Sequence, residues 1–244
     1  MKYFTPEWYN DTVVAQMCFQ LRKTGKAASF SEKFFERLYA IEKKAFLKHS
    51  KRAAKFERRK FDAIAAGEQF DANYAENLAF VQKNLPSEIL DTVADIRILA
   101  LGSADYDVAY AITRYCGQIN RKCENIEAEY QTELEKIAEK LGWVTVNSLE
   151  YLIGAPIASV EQSDNGVVVT TSPEYSGNTY KIDLDGGQID CDAQSIIGAT
   201  VMRHELTQSG DALEFGLLCS DENSDMLTLT ITAKRIEISE IARS

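Results

Sequence analysis

The sequence predicts an α+β protein, with an N-terminal all-α bundle built on two long antiparallel helices and a C-terminal antiparallel β sandwich or barrel made from two repeated meanders. Three observations predict it. Apolar residues recur at helical spacing up to Leu141, β-branched residues alternate with polar ones after Leu149, and the charge balance shifts between the two parts. Residues 1–143 hold 22 Lys and Arg against 21 Asp and Glu, whereas residues 144–244 hold 5 against 16, so the second part at −11 accounts for all of the net charge of −10. This break near Trp143–Leu149 divides the chain into a helical domain over 1–146 and a β domain over 147–244. Each is long enough to bury its own core.

The helices follow from their end signals. Thr5 suits an N-cap and Pro6 the first helical position, where its missing N–H costs nothing. Phe4 and Tyr9 then stand at the two positions of a hydrophobic staple. A long helix is expected from Ser31 to about Ala66, stopped by Gly67, and a shorter one over Ala72–Leu85. Pro86 breaks that helix, and the next runs from Ser87 to about Leu99, ended at Gly102.

The clearest helix carries Ile112, Cys116, Ile119, Cys123, Ile126, Tyr130, Leu134, Ile137 and Leu141 in steps of three and four, one continuous apolar stripe. From Ala104 to Leu141 it would be about 55 Å long, close to the length of 31–66, and the two should pair antiparallel. Residues 43–60 carry nine basic side chains against one acid, Glu57, and residues 124–139 six acids against one base, Lys136. Such complementarity favours orientation and register more than stability.

After Leu149 the turn signals Asp164-Asn165-Gly166, Asp185-Gly186-Gly187 and Ser209-Gly210-Asp211 separate short antiparallel strands, and Gly186-Gly187 reads as a hairpin turn. An internal repeat lies here, at an offset of 44. Leu152 to Gly166 aligns with Ile196 to Gly210, sharing the Ile-Gly-Ala triplet, the pair Glu161 and Glu205, and the turn glycine. The repeats are expected over 152–191 and 196–238, two meanders too small to fold alone and therefore packed together.

Two stretches carry a resemblance, Met1-Lys-Tyr-Phe-Thr-Pro-Glu-Trp-Tyr9 and Leu85-Pro-Ser-Glu-Ile-Leu-Asp-Thr-Val-Ala-Asp-Ile-Arg-Ile-Leu-Ala-Leu-Gly102. Together they resemble an uncharacterised bacterial family, a domain of unknown function with a helical N-terminal part and a short β part similar to modules of immunity-type proteins. The resemblance implies the same two-part fold and carries no activity with it. Related β modules often have a Leu-His-Asp-Ala entry, where this chain reads Leu152-Ile-Gly-Ala155 and Ile196-Ile-Gly-Ala199.

The residues exclude several chemistries. His49 and His204 have no second ligand at metal spacing, and no C-x-x-C, phosphate-binding Gly loop or G-x-S-x-G elbow occurs. Asp183, Asp185, Asp190 and Asp192 lack the loop and terminal Glu of an EF-hand and read as a solvated strand face. Neither a metal nor a cofactor is expected. Cys18, Cys116, Cys123, Cys191 and Cys219 are odd in number and widely spaced, as in reduced cytosolic thiols. Cys116 and Cys123 would stand about 10 Å apart on their helix, too far for a disulfide.

No apolar h-region opens the chain, and no apolar run approaches the roughly 20 residues of a membrane span, so a cytoplasmic protein is expected. A membrane-surface helix over 43–60 is disfavoured because its Phe and Leu positions are wanted by the core.

The candidate binding residues are Asp95 and Arg97, which interrupt the apolar stretch Ile89–Leu101. They form either a polar pocket or, the reading preferred, an ion pair locking helices together. The expected function is non-enzymatic protein binding or regulation, of which immunity-type factors are one form, through the acidic β domain. The alternative is an enzyme with its site at the junction of the two domains. Nucleic-acid binding through residues 43–60 ranks below both, because the pI is near 4.9.

Overall fold

A computed structural model describes residues 1–172, 178–189 and 193–241. It is an α+β protein. The elements are α1 (Pro6–Gln16), β1 (Arg22–Lys23), α2 (Glu32–Phe56), α3 (Ala63–Asn84), α4 (Ser87–Leu90), α5 (Ile96–Ala100), β2 (Ser103–Ala104), α6 (Tyr106–Leu141) and α7 (Trp143–Ser148). The strands that follow are β3 (Ile157–Ser163), β4 (Gly166–Thr171), β5 (Thr179–Asp185), β6 (Gln188–Ile189), β7 (Thr200–Ser209), β8 (Ala212–Ser220), β9 (Met226–Ala233) and β10 (Arg235–Ile241). Asp190, Cys191 and Asp192 lie outside the described residues, as does the end of the first repeat.

Two compact units form, Val13–Asn120 on its own and Met1–Thr12 together with Arg121–Ser244. Compactness therefore divides the chain elsewhere than the 1–146 and 147–244 boundaries suggested by composition. The second half of α6 and the N-terminal segment belong with the strands, where they bury Phe4, Trp8, Tyr130, Leu134 and Ile137.

In the unit Val13–Asn120, the Ser31 hydroxyl caps α2 by accepting from Phe34 N. The expected helix to Ala66 is interrupted. α2 ends at Phe56, Arg58 turns the chain with a φ of 57°, and the Asp62 carboxylate starts α3 by accepting from Ile64 N and Ala65 N. Gly67 lies buried inside α3 rather than stopping a helix. Folding back at 57–62 lets two aromatic faces meet, with Phe35 on Tyr74, Tyr39 on Phe70 and Tyr74, and Phe46 on Phe70. The antiparallel pair of long helices is thus α2 with α3.

The helix expected over 87–99 is likewise two, α4 and α5, because Asp95 caps a new start. The core of this unit joins Val81 and Leu85 of α3 to Leu99 and to Val108, Ile112 and Cys116 on the stripe of α6.

β1 and β2 pair in parallel, and β3 to β10 form two four-stranded antiparallel sheets, ordered β10-β5-β4-β3 and β6-β9-β8-β7. Their halves have matching geometry. A 3₁₀ turn (Leu149–Leu152, then Ala193–Ile196) leads into Ile-Gly-Ala and a strand with a bulge, between Ile157 and Ser159 in one half and between Val201 and Arg203 in the other.

The halves also bond reciprocally. Gly154 N donates to Val201 O and Gly198 N to Ile157 O, both at 2.8 Å. Val201 N donates to Ala155 O and Ile157 N to Ala199 O, both at 3.0 Å. Pro156 bridges Thr200, its own counterpart 44 positions on.

Two expectations change. Asp185-Gly186-Gly187 is a crossover rather than a hairpin, since β6 leaves β5 and pairs with β9. β10 makes the converse crossing onto β5, so Gln188 opposite Thr232 mirrors Arg235 opposite Asp185. The turn glycines are not equivalent either. Gly166 begins β4 opposite Ser163, whereas Gly210 lies within the turn between Ser209 and Ala212, because the second hairpin has longer arms.

Gly154 and Gly198 share left-handed backbones, with φ of 83° and 86°, and neither would crowd an added Cβ. Gly154→Ala and Gly198→Ala should each lower stability by about 1–2 kcal/mol, the cost of that backbone alone. Urea unfolding checks this, and unequal losses would contradict the matching geometry.

Candidate functional site

Asp95 and Arg97 meet in the unit Val13–Asn120 as a closed arrangement. The buried Asp95 carboxylate caps α5 by accepting from Arg97 N and takes two bonds from the Arg97 guanidinium, at 3.0 and 2.9 Å. The same guanidinium donates to both oxygens of Glu32, at 3.1 and 2.8 Å, and lies over the rings of Phe35 and Phe30. The bonds to Asp95, then those to Glu32, raise the Arg97 pKa further. With these donors and acceptors occupied, the group is built to hold α2 against α5 rather than to receive a ligand.

The same unit contains a cleft of about 740 Å³ lined by Arg22, Glu42, Phe46, Phe70, Asn73 and Asn77, among others. Neither Asp95 nor Arg97 lines it. Arg22 spends its guanidinium on Glu42 at 2.7 Å and on Leu101 O at 3.1 Å.

The most connected polar group lies in the other unit, around a carboxylate that sequence reasoning noted only as a repeated residue. Glu205 on β7 is 2% exposed. Its oxygens accept from the main-chain amides of Lys2 (2.6 Å), Tyr3 (2.9 Å) and Phe4 (3.0 Å). Gly216 stands opposite Glu205 on β8, and a Cβ there would fall 2.9 Å from Met1 Cγ and 3.0 Å from Glu205 Cγ. Phe4 packs on Trp8 and Tyr130, one position short of the Tyr9 that a staple would use, and Arg203 lies over the Phe4 ring.

This cluster closes the free edge of β7. Along an antiparallel edge strand, alternate N–H groups point away from the partner strand. On β7, Leu206 N donates to the Tyr130 hydroxyl at 3.1 Å and Gln208 N to Glu133 Oε1 at 3.4 Å, both acceptors coming from α6. Glu133 also accepts from Lys2 Nζ (2.7 Å) and the Tyr3 hydroxyl (2.6 Å). Burial pushes the Glu133 carboxyl up, but the bonds from Lys2, Tyr3 and Gln208 outweigh it and hold the group below its ordinary range. Burial likewise pushes the Tyr130 phenol up to about 12, so it stays protonated at neutral pH.

The counterpart edge, β3, is different. Gln162 corresponds to Leu206, and among the described residues nothing accepts from its outward amide; Val160 and its counterpart His204 are alike in having no acceptor. Glu161, the counterpart of Glu205, is exposed and faces Val168 where Glu205 faces Gly216.

No family model, curated protein or solved structure matches this chain.

Catalytic candidates are few. Burial pushes the Cys219 thiol up to about 12 and the Cys116 thiol up to about 11, leaving almost no thiolate at neutral pH. His204 is buried, with Nε2 3.4 Å from Glu150 Oε1, an ion-pair distance without hydrogen-bond geometry. Among the described residues no group of three His, Cys, Asp or Glu could hold a metal ion.

Glu205→Ala should cost about 3 kcal/mol in chemical unfolding, because it strips charged acceptors from buried amides, while Glu161→Ala should change stability by less than about 0.5 kcal/mol. For Glu133 the depressed folded pKa sets the sign. Its stabilising contribution is full above the ordinary glutamate range and is lost as pH falls through the folded value. Glu133→Gln should therefore weaken the acid-side loss of stability, read from unfolding midpoints across an acid titration.

Proposed function

We propose that this chain is a non-enzymatic binding protein of regulatory type, immunity-type factors being one form, and that it takes its partner by strand addition along β3. The observation that carries the reading is a contrast between the two counterpart edges. On β7 the outward amides of Leu206 and Gln208 are taken by Tyr130 and Glu133, while on β3 the outward amide of Gln162, the counterpart of Leu206, has no acceptor among the described residues. An extended segment laid along an open edge gains main-chain hydrogen bonds and takes specificity from alternate side chains. The excess of 16 acids over 5 bases in residues 144–244 favours a segment rich in Lys and Arg.

Gln162→Pro tests it, since it removes an amide that β4 does not use, and edge strands tolerate proline. Affinity capture from a native host lysate at low salt should return a partner that binds the wild type and Gln162→Ala but is lost with Gln162→Pro. The partner's basic segment, made as a synthetic peptide, should show the same discrimination. No capture, or a partner indifferent to Gln162→Pro, would overturn the reading.

A second reading, an enzyme or small-ligand binder, draws on the cleft of about 740 Å³, whose size falls within the usual range for ligand sites. Saturable thermal stabilisation by a fractionated small-molecule extract, abolished by Asn73→Leu, would favour it over strand addition.

A further inference from the structure

The loop joining α2 to α3 carries a surface that no other part of the fold explains. It turns the chain at the tip of a helical hairpin, and the residues around it are of two kinds. The first are cations. Lys44, Lys48, Lys51, Arg52, Lys55, Arg58 and Lys60 are all exposed, and among the described residues none forms an ion pair. Only Lys43, bonded to Asp71 at 2.7 Å, and Arg59, bonded to Glu57, are paired. Asp62, the other acid at the loop, is spent on capping α3.

The second kind are large apolar side chains. Phe56, the last residue of α2, is 91% exposed, and Ile64, the second of α3, is 76% exposed. The expectation that the Phe positions of 43–60 serve the core fails at Phe56. The helix ends there, and the chain turns before that side chain can reach α3. Both apolar residues lie within about one helical turn of the loop, where they share the tip with the cations.

We propose that this hairpin tip docks on an anionic lipid surface, the cations facing headgroup phosphates and Phe56 and Ile64 entering the acyl boundary. An anionic bilayer offers a negative layer beside an apolar one, and the tip presents a complement to each. Nucleic acid satisfies only part of it. Phosphates would take the cations and a base could stack on Phe56, but the aliphatic Ile64 has no counterpart in single-strand recognition. No helix among the described residues is long and apolar enough to cross a bilayer, so the contact is peripheral. This surface shares no residue with β3, and its test is independent of the strand-addition reading.

The full chain is sedimented with phosphatidylcholine vesicles containing or lacking phosphatidylserine, at low salt. Binding is expected only with phosphatidylserine. The combined variant Lys51→Gln, Lys55→Gln, Lys60→Gln should lower partitioning roughly a hundredfold, from the loss of three cations near the surface. Phe56→Ser with Ile64→Ser, at unchanged charge, should lower it roughly tenfold through lost apolar burial. Phe56→Trp should shift its emission to the blue on phosphatidylserine vesicles and not on phosphatidylcholine alone. All these side chains are exposed, and circular dichroism verifies that each variant is folded. Absence of binding to phosphatidylserine vesicles overturns the proposal, as does partitioning indifferent to the apolar pair. Retention of a single-stranded RNA with no lipid-dependent shift at position 56 also overturns it and assigns the tip to nucleic acid.

Discussion

A single buried carboxylate organises the unit that contains the strands. Glu205 could not remain charged away from water without donors, and the donors it finds are three consecutive main-chain amides, Lys2 to Phe4. Holding that segment in place sets Phe4 against Tyr130, sets Lys2 and Tyr3 against Glu133, and thereby fixes which face of α6 meets β7. The small side of Gly216 is the other half of the constraint, since a larger residue would occupy the space of Met1 and of the Glu205 side chain. The aromatic-rich opening of the chain is therefore neither a ligand cage nor a simple helix staple. It is a structural strap.

The strap also breaks the near-symmetry of the strands. Two halves of matching turns, bulges and crossovers are joined through reciprocal bonds around Pro156 and Thr200. Such a pair would present two similar sheet edges. Tyr130 and Glu133 occupy one of them, and the difference between Gly216 and Val168 explains why only one half receives the main-chain segment. Edge strands left open are hazards unless they are charged, short or used. On β3 the exposed Glu161, Gln162 and Ser163 supply polarity without closing the amides.

How much of this was legible in the sequence depended on the range of the interaction. The stripe from Ile112 to Leu141 was plain because its periodicity is local, and α6 spans it whole. The repeated Ile-Gly-Ala was legible because identical backbone needs select identical residues. The interruption of 31–66 was not, since the alanine-rich run on either side of 57–62 reads as helix and the break is decided by Asp62 and by aromatic packing between α2 and α3. The crossover at Gly186-Gly187 imitates a hairpin because turn chemistry does not say which sheet the next strand joins. Glu205 was the hardest to read, because its meaning lies in Gly216 across the sheet and in amides about two hundred positions away. For Asp95 and Arg97 the charge within an apolar stretch pointed to a pair, while Glu32 and the rings of Phe35 and Phe30 could not be foreseen.

The distance along the chain between the strap and its anchor has a consequence for biosynthesis. A ribosome delivers Glu205 some two hundred residues after Lys2 to Phe4, a lag of roughly ten to forty seconds at ordinary elongation rates. Throughout that interval the nascent aromatic segment lacks its buried acceptor, whereas every residue of the compact unit Val13–Asn120 has already been made. The strap therefore closes late, because residues made early must wait for a strand made long after them.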